Sequence, residues 1–521
     1  MANVRNVTST LDDGEGTLRD ALRSTPLYTS GWETLANGDT ITFDNSLEVN
    51  GVITITLAAD SAALSIPAYE FTIEGGATWT ESGVLKTRVV IDAAASVDDL
   101  RRVATLAARC KATINGVTFK NGYQSDSAYG GGVQLSDANT NVIFNNCVFD
   151  TCNAPYGGAV IATNATVNFN NCKFYNNTAS TRGGGIYSTG AATVNFNNCD
   201  FIDCIVTSGG GGAFYANMTS NNTLLNCYFK NCYASSSSGV FWVNSTPTIT
   251  CTNCTFDYCR ATGGTGGVIT LNVAAVVTFN NCTFTDCRAS SHGQAIYYGT
   301  SAALTLNGCT FTTTQNKPDV YNLSTTGTII IKGINTVDKM GFNSGSSVTF
   351  DGVDAVLTIT DTLTDPGATW TAAENSRGYI AIPSGTTPPT VGANIKIATY
   401  STATPTISAT ITGRDASVDI KNAGSGYITE IEYADGTVDD LTITEGAAEI
   451  AVDKAFKIRL FNGAFYYSPF VPRTYYLKTY DVDGDFATAA DWTLDAAKTL
   501  TCNAAPTIQD GTFYCTAPPE V

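Results

Sequence analysis

Apolar and polar residues alternate over short stretches of this chain, and the alternation breaks at regular intervals. Val194 and Phe196 lie two positions apart, as do Cys199 and Phe201, so each pair faces one side of an extended strand. Phe196 and Cys199, however, are three positions apart, which would place them on opposite faces of one straight strand. The chain is therefore predicted to turn a corner at residues 197–198, both asparagine, because asparagine tolerates left-handed backbone geometry.

The same stretch recurs as a repeat. Aligned on its phenylalanine, the copies follow one another at intervals of 25 to 28 residues, and Phe119 is an earlier relative. These intervals are too variable for a helical solenoid, and the units are rich in Val, Phe, Thr and Asn, which favours short strands. The aligned positions are the phenylalanines Phe149, Phe174, Phe201, Phe229, Phe256, Phe284 and Phe311, the cysteines Cys147, Cys172, Cys199, Cys227, Cys254, Cys282 and Cys309, and the asparagines Asn146, Asn171, Asn198, Asn226, Asn253 and Asn281.

A second break in the alternation, between Phe201 and Cys204, predicts another corner. A polar loop then leads to a glycine-rich third strand, at 183–187, 211–215 and 266–270 in three of the repeats. Three short strands per turn, stacked turn upon turn, predict an all-β fold, a right-handed parallel β-helix. Stacked strands lie about 4.8 Å apart, so the asparagines are expected to form a column of amide hydrogen bonds, the phenylalanines a buried aromatic column and the cysteines a column of small apolar groups.

The repeat, with its Asn-Asn-Cys-x-Phe corner and its Gly-Gly-Gly-Ile-Tyr third strand, resembles the right-handed β-helix repeats of bacterial surface proteins, including polymorphic outer-membrane-protein-like adhesins and adhesin passengers. Residues 7–22 followed by 37–43 resemble the module that opens such helices. The resemblance covers roughly residues 4 to 330 and implies the three-stranded, pectin-lyase-like architecture. It implies no single activity, because the same architecture serves polysaccharide lyases and phage tailspikes.

Four segments are expected along the chain. Residues 1–35 form an N-terminal cap, in which Thr17 and Asp20 read as a capping box before a short apolar helix. Residues 36–400 form the β-helix, with regular repeats over about 112–314. Residues 401–475 keep strand-like alternation without the repeat and are expected to form a C-terminal β domain or cap, and 476–521 a small module containing tryptophan and cysteine.

Composition excludes several classes of protein. Only 14% of the residues are charged and the net charge is −18, which argues against nucleic acid as a partner because phosphate binding needs clustered Lys and Arg. No apolar run approaches the roughly 18 residues of a spanning helix, so the chain is not expected to cross a membrane. The N-terminus lacks an apolar leader, so a signal peptide is either absent or was removed. We expect an extracellular, cell-surface or virion location.

The cysteines invite a metal or disulfide interpretation. They occur as pairs five residues apart, such as Cys199 and Cys204, whereas a zinc site shows converging pairs with two intervening residues. Both members of a pair fall at inward positions, which favours buried free thiols, with disulfides inside a coil or between coils as the alternative. Cys502 and Cys515 lie outside the repeat, thirteen residues apart, and form a possible disulfide.

Few residues suggest catalysis or metal binding. His292 is the single histidine, which excludes a histidine-based triad and a multi-histidine metal site. Asp481, Asp483 and Asp485 resemble part of a calcium loop, but the distal Glu is missing and a solvated turn is the simpler interpretation. No other cofactor is expected. An enzymatic interpretation rests on four charged residues from two successive units, Asp257, Arg260, Asp286 and Arg288, which otherwise form a surface strip of little energetic weight.

These observations favour a non-enzymatic extracellular protein, namely a bacterial cell-surface adhesin or a building block of a surface fibre. The expected partner is a glycan or a surface protein of a host or neighbouring cell, or further copies of the chain in a fibre. A phage tailspike or other virion fibre is the alternative. A polysaccharide lyase or glycoside hydrolase on a β-helix scaffold is the second alternative.

Overall fold

The computed structural model describes residues 3–23, 35–59, 61–125, 129–300, 302–412, 415–443, 447–449 and 455–471, and the short strands 476–477, 492–493, 507–509 and 512–514. The chain divides into two compact units. The first contains residues 1–356, 361–378 and 389–395, and the second contains 357–360, 379–388 and 396–521. The strands Ala355–Thr364, Gly378–Ile382 and Ile395–Thr399 contain points at which the chain passes between the units.

The first unit consists of parallel strands stacked in three rows. The first row is one fourteen-stranded parallel sheet. Its strands are Val4–Val7, Thr40–Phe43, Glu70–Glu74, Lys111–Asn115, Asn141–Asn145, Thr166–Asn170, Thr193–Asn197, Asn221–Leu225, Thr248–Thr252, Val276–Asn280, Ala303–Asn307, Thr328–Lys332, Ser347–Phe350 and Thr369–Ala372. Because each coil contributes one strand to this sheet, the predicted all-β parallel β-helix is confirmed.

The other two rows follow in each coil and are joined by the strand Ile334–Phe342, which pairs with both. The second row contains Ile53–Thr56, Val89–Asp92, Val117–Lys120, Val148–Asp150, Lys173–Tyr175, Asp200–Ile202, Tyr228–Lys230, Thr255–Asp257, Thr283–Thr285 and Thr310–Thr312. The third row contains Leu64–Ile66, Ala104–Leu106, Val133–Leu135, Val160–Thr163, Ile186–Gly190, Phe214–Met218, Phe241–Val243, Ile269–Leu271, Ile296–Tyr298 and Val320–Asn322.

Between the second and third rows the chain forms short strands of a further six-stranded sheet, which the sequence interpretation treated as a loop. These are Asn153–Tyr156, Thr178–Arg182, Ile205–Val206, Tyr233–Ala234, Arg260–Ala261 and Arg288–Ala289. Small buried residues, Ala179, Val206 and Ala234, form the inner face of this strip. The coil therefore has a fourth flat segment where the sequence alone suggested irregular structure.

The core follows from the strict register of the strands. Phe149, Phe174 and Phe201 occupy equivalent positions of neighbouring second-row strands, so their rings lie directly above one another. Ring centroids in this column are 4.8 Å apart for Phe149 and Phe174 and 4.4 Å apart for Phe174 and Phe201, with nearly parallel planes. Phe169 and Phe196 form a second stack in the first row, and their rings meet the column edge-on. Offset and edge-on contacts are the favoured arrangements of aromatic rings, so one coil positions the next.

The predicted corner lies at the second asparagine of each repeat. All six of these asparagines have φ between 51° and 54°, the left-handed region. Gly116 and Gly308 occupy the same corner in flanking coils, with φ of 60° and 68°, because glycine adopts left-handed geometry without steric cost. The asparagine immediately before the corner forms a second ladder, in which Asn145 donates to Asn115 and Asn170 donates to Asn145, both at 2.8 Å.

The cysteines of the repeat are free and buried. Their thiols donate to carbonyl groups of the preceding coil: Cys199 Sγ lies 3.3 Å from the Phe169 carbonyl oxygen, and Cys204 Sγ lies 3.5 Å from that of Phe174. Asn177 takes the place of the second cysteine in one coil and donates to the Phe149 carbonyl at 2.8 Å. The position therefore needs a small buried donor, which both residue types supply.

A single turn of α-helix, Leu18–Ala21, contacts the first strand of the first unit, Val4–Val7. Thr17 caps it by accepting from the backbone amide of Asp20, which is one half of the predicted capping box. The other half is not formed among the described residues, because the Thr17 amide donates to the Gly14 carbonyl and not to the Asp20 carboxylate. The other helical element among the described residues is the 3₁₀ turn Asn45–Leu47. Neither is long or apolar enough to span a membrane.

The second unit contains antiparallel sheets around a separate core. A three-stranded sheet consists of Thr406–Thr412, Asp415–Lys421 and Ala447–Glu449, and a four-stranded sheet of Val438–Asp440, Ile428–Tyr433, Phe456–Phe461 and Phe465–Tyr467. Two further pairs are Tyr476–Leu477 with Trp492–Thr493, and Thr507–Gln509 with Thr512–Tyr514. Buried residues from both larger sheets pack together, among them Val418, Ile431, Phe456 and Ile458.

Candidate functional site

The four charged residues that carried the enzymatic interpretation lie along two neighbouring coils. Arg260 and Arg288 are direct partners in register, two like charges side by side. The Arg260 guanidinium lies over the ring of Tyr233, 5.3 Å from its centroid. Asp257 accepts a hydrogen bond from the Tyr228 hydroxyl at 2.9 Å. None of the four lines the cleft described below, and the prediction that they act in catalysis stays untested.

Asp286 is held as a hydrogen-bond acceptor. Its Oδ1 accepts from the backbone amide of Thr314 at 2.9 Å and from the Thr314 hydroxyl at 2.8 Å. The Thr314 amide, the largest influence, lowers the pKa of the Asp286 carboxyl, and the charge of Arg288 adds to the effect. A carboxyl held ionised in this way is poorly suited to donate a proton.

Three other candidates came from the sequence: the calcium loop, the possible disulfide and the single histidine. Asp481, Asp483 and Asp485 of the calcium hypothesis lie outside the described residues, as do Cys502 and Cys515 of the possible disulfide. His292 is exposed, with its Nδ1 2.8 Å from the Ser291 hydroxyl and its ring against Tyr321.

A cleft of different origin lies near the N-terminal end of the first unit. The corner between the strands Glu70–Glu74 and Val89–Asp92 is expanded into a β-hairpin, Thr78–Glu81 paired with Val84–Thr87. The two turn residues, Ser82 and Gly83, have φ of 51° and 80°. A two-residue turn with both values positive matches the right-handed twist of the flanking strands.

The hairpin is fixed on the outer face of the second row. The Thr87 hydroxyl is 2.7 Å from the Thr118 hydroxyl and donates to the Val89 carbonyl at 2.8 Å. Arg88, which follows the hairpin, forms an ion pair with Glu48 and donates to Asn45 Oδ1 at 2.7 Å. These contacts hold the hairpin against the strands that it covers.

The space beside the hairpin is a cleft of about 650 Å³. It falls within the range of roughly 300–1,000 Å³ that is usual for small-molecule sites. The lining residues are Asn50, Gly51, Val52, Trp79, Glu81, Val84, Leu85, Lys86, Thr87, Val90, Thr118, Lys120, Val148, Asp150 and Tyr175. The cleft thus combines an apolar surface with two ammonium groups, two carboxylates, an amide and a phenol.

Two aromatic residues, Trp79 and Tyr175, line the cleft. Trp79 is 38% exposed, so a large part of the indole faces solvent. Tyr175 is only 8% exposed, and its buried hydroxyl has no hydrogen-bond partner among the described residues. Burial, the largest influence, raises the pKa of Tyr175, and the Leu85 backbone amide, which lies near the hydroxyl without the geometry of a hydrogen bond, lowers it by less. An unpaired buried hydroxyl costs free energy, which a ligand that bonds to it would recover.

The sequence interpretation missed this cleft. The alternation in residues 78–87, broken by Ser-Gly, was a readable hairpin signal. That Tyr175 points outward was also readable, because it follows Phe174 directly. The sequence does not show the direction in which the hairpin packs. That direction brings residues about a hundred positions apart together in one cleft.

Comparison with known proteins agrees with the fold. The family model described as "Right handed beta helix region" matches residues 103–275 and 200–311. A similar solved structure is the tailspike protein gp49 from Acinetobacter baumannii bacteriophage Fri1, a capsular polysaccharide depolymerase, at 12% identity and a TM-score of 0.25, covering 89% of this chain and 78% of that one. Likeness at this level carries no argument about function. No curated protein matches the chain.

The adhesin type suggested by the repeat is not confirmed by these comparisons, because the family model that matches describes the fold alone. The family match lies within the stacked parallel strands, where the corners and columns of the repeat are most regular. The first unit is therefore a right-handed parallel β-helix built from sequence repeats.

Proposed function

We propose that this chain is a glycan-binding protein of an extracellular surface fibre, and that the cleft beside the hairpin binds a short stretch of oligosaccharide. The observation that carries the proposal is the pairing of a solvent-facing indole, Trp79, with the unpartnered hydroxyl of Tyr175 in one cleft.

Sugar rings match such a lining. A pyranose presents an apolar face of C–H groups, which packs on an aromatic ring, and a rim of hydroxyls, which need donors and acceptors. Trp79 supplies the ring. Asn50, Glu81, Asp150 and Tyr175 supply hydrogen-bonding groups around it. The cleft leaves room for more than one sugar unit, as recognition of a chain segment requires.

The proposal suits both settings predicted from the sequence, the bacterial surface adhesin and the virion tailspike. The adhesin setting stays a prediction, and the tailspike is retained beside it. The two differ in assembly, since tailspike-type fibres are expected to be trimers, so the mass of the native protein in solution distinguishes them. Whether the bound glycan is also cleaved is decided by assaying for new reducing ends or unsaturated products.

A glycan array probed with the full chain tests the proposal. We expect a defined set of glycans to bind, and Trp79→Ala to reduce their binding roughly fivefold to a hundredfold, because stacking of a ring on an aromatic side chain is worth about 1–3 kcal/mol. The control is Tyr427→Ala, which removes an aromatic side chain of similar exposure, 37%, outside the cleft. Absence of binding to any glycan, or equal binding by wild type and Trp79→Ala, would overturn the proposal.

A further inference from the structure

We infer that the cleft selects sugars that carry a carboxylate, and that the ammonium group of Lys120 binds it. This inference rests on the proposed function, since it names the class of sugar that the same cleft takes.

Lys120 occupies an outward column of the second row. Its partners in register are Asp92 on one side and Asp150 on the other. Strands in a sheet are about 4.8 Å apart, so a lysine between two aspartates would ordinarily form an ion pair with one of them. Among the described residues, Lys120 forms none within 4.0 Å, although it lies between two carboxylates.

Both flanking carboxylates are engaged at the corner. Asp92 accepts from the side-chain amide of Asn121 with both oxygens, each at 3.0 Å, and from the backbone amide of Ala94 at 2.7 Å. Asp150 Oδ1 accepts from the Thr151 hydroxyl at 2.9 Å and from Asn176 Nδ2 at 3.3 Å. These bonds engage both oxygens of Asp92 and one oxygen of Asp150, and the side chains of Lys120 and Asp150 both line the cleft.

The neighbouring outward column shows the usual alternative. There Lys173 and Asp200 are partners in register, and their charged groups form an ion pair at 2.6 Å. Among the residues that the structure describes, no corner residue is bonded to Asp200 in the way that Asn121 is bonded to Asp92. The unpaired state of Lys120 is therefore a local property of the coils that form the cleft.

Tyr175 adds a second point of contact in the same column. The register runs from Lys120 to Asp150 to Tyr175, so two strand spacings, about 9.6 Å, separate the backbone positions of the lysine and the tyrosine. A ligand that reaches both extends along the axis of the stack. Its carboxylate pairs with Lys120, and a hydroxyl or ring oxygen accepts from Tyr175, while Asp150 between them accepts from sugar hydroxyls.

The charge of the whole chain strengthens the argument. With a net charge of −18, the protein as a whole repels an acidic glycan. A site that binds an acidic sugar therefore needs a local cation that is not already held in an ion pair with a carboxylate of the protein. Lys120 meets this requirement, and a charge-assisted hydrogen bond to it is worth about 1.5–3 kcal/mol, or roughly tenfold to a hundredfold in affinity.

The test uses an array that holds acidic glycans beside their neutral analogues, in which each carboxylate is reduced to the alcohol. We expect the acidic members to bind at least tenfold more tightly, Lys120→Met to abolish that preference and Lys120→Arg to retain it. The matched control is Lys230→Met, because Lys230 lies in the same outward column, is equally half-buried and does not line the cleft.

The outcomes separate the two proposals. If neutral glycans bind best and binding depends on Trp79, the glycan-binding function stands and the selection of acidic sugars is wrong. If acidic glycans bind equally to wild type and Lys120→Met, the assignment to Lys120 is wrong. If no glycan binds, the proposed function fails, and this inference fails with it.

Discussion

Asn198 donates a side-chain hydrogen bond to Asn171 of the preceding coil at 3.2 Å, and both residues have left-handed backbone geometry, with φ of 54° and 53°. The ladder continues from Asn226 to Asn198 at 3.0 Å and from Asn253 to Asn226 at 3.1 Å. Asparagine therefore has two roles at this corner. It tolerates the backbone conformation, and its amide connects one coil to the next.

The two roles can be separated by substitution at Asn198. Glycine removes the amide bonds but accepts the left-handed geometry, whereas alanine removes the bonds and adds a strain of roughly 1–2 kcal/mol. We therefore expect Asn198→Ala to lower the free energy of unfolding more than Asn198→Gly, by about 1 kcal/mol. Midpoints of denaturant unfolding of the two variants provide the comparison. Equal midpoints, or a more stable alanine variant, would contradict this account of the corner.

Tyr175→Phe should affect binding without affecting stability. The buried hydroxyl of Tyr175 has no partner among the described residues, so its removal should leave the melting temperature unchanged or slightly higher. Glycan binding should fall, because the variant lacks the hydroxyl that donates a hydrogen bond to the ligand in the proposed complex. Scanning calorimetry and the glycan array measure the two effects separately.

Tyr228→Phe serves as the control for that variant. Its hydroxyl donates to Asp257 at 2.9 Å, outside the cleft. This substitution should lower stability slightly and leave glycan binding unchanged. A loss of stability in Tyr175→Phe as large as in Tyr228→Phe would mean that the Tyr175 hydroxyl is already satisfied within the protein.

The contrast between Asn198 and Tyr175 shows which features can be predicted from the sequence and which cannot. The corner at Asn198 was predictable because it repeats, and because Phe196 and Cys199 are separated by an odd number of positions. The cleft was not, because it depends on a single insertion, the hairpin 78–87, whose packing is determined by contacts such as that of Thr87 with Thr118. A pattern that recurs in every repeat supports the same structural prediction at each copy. The hairpin occurs once in the sequence, so no second copy supports a prediction of how it packs.

The second unit also contains a feature that the sequence pattern does not predict, a buried ion pair. Glu430 and Arg459 come together through the antiparallel pairing of the strands Ile428–Tyr433 and Phe456–Phe461. Neither residue lies in a recurring pattern that marks it as buried. Their side chains are 1% and 2% exposed, and alternation alone would place charged residues such as these on the solvent face.

The pair of Glu430 and Arg459 should be essential to the second unit. Their charged groups are 2.8 Å apart, and Tyr379 donates to Glu430 at 2.9 Å. Glu430→Gln leaves the buried guanidinium without its counter-ion, and we expect a loss of about 3–5 kcal/mol in the stability of this unit. Glu432→Gln is the matched control. Glu432 forms an ion pair with Lys457 at a similar distance, 2.9 Å, but each of these two side chains is 20% exposed. That variant should lose about 1 kcal/mol or less, and similar losses for the two would contradict the argument.

The repeat cysteines should be unreactive until the coils open. They are buried free thiols, and burial, the largest influence, raises the pKa of Cys152, which lies five residues after Cys147, to about 12. The thiolate is the reactive form, so iodoacetamide at pH 8 should leave these positions unmodified in the native protein. In denaturant each should be alkylated, which peptide mass spectrometry detects. Labelling of the native protein, or a position that stays unmodified after unfolding without a reductant, would refute the assignment as buried free thiols.

Asp319 should make stability depend on pH. It is 3% exposed and accepts from the Lys339 backbone amide at 3.1 Å, and burial, the largest cause, raises its pKa to about 7. The nearby charges of Asp338 and Asp286 raise the pKa further, while Lys339 lowers it. Between the unfolded pKa of roughly 3.9 and the folded pKa of about 7, the folded state therefore holds a proton that the unfolded chain has released.

The sign of the effect follows from that proton. Where the folded state binds more protons than the unfolded state, the free energy of unfolding falls as pH rises. The stability difference between wild type and Asp319→Asn should therefore decrease from about pH 4 to pH 7 and remain constant above it. A shift of about three units corresponds to at most about 4 kcal/mol. Denaturant unfolding of both proteins at intervals of one pH unit measures the difference, and a difference that rises across this window would show that Asp319 is stabilised as the carboxylate, by Lys339, rather than as the acid.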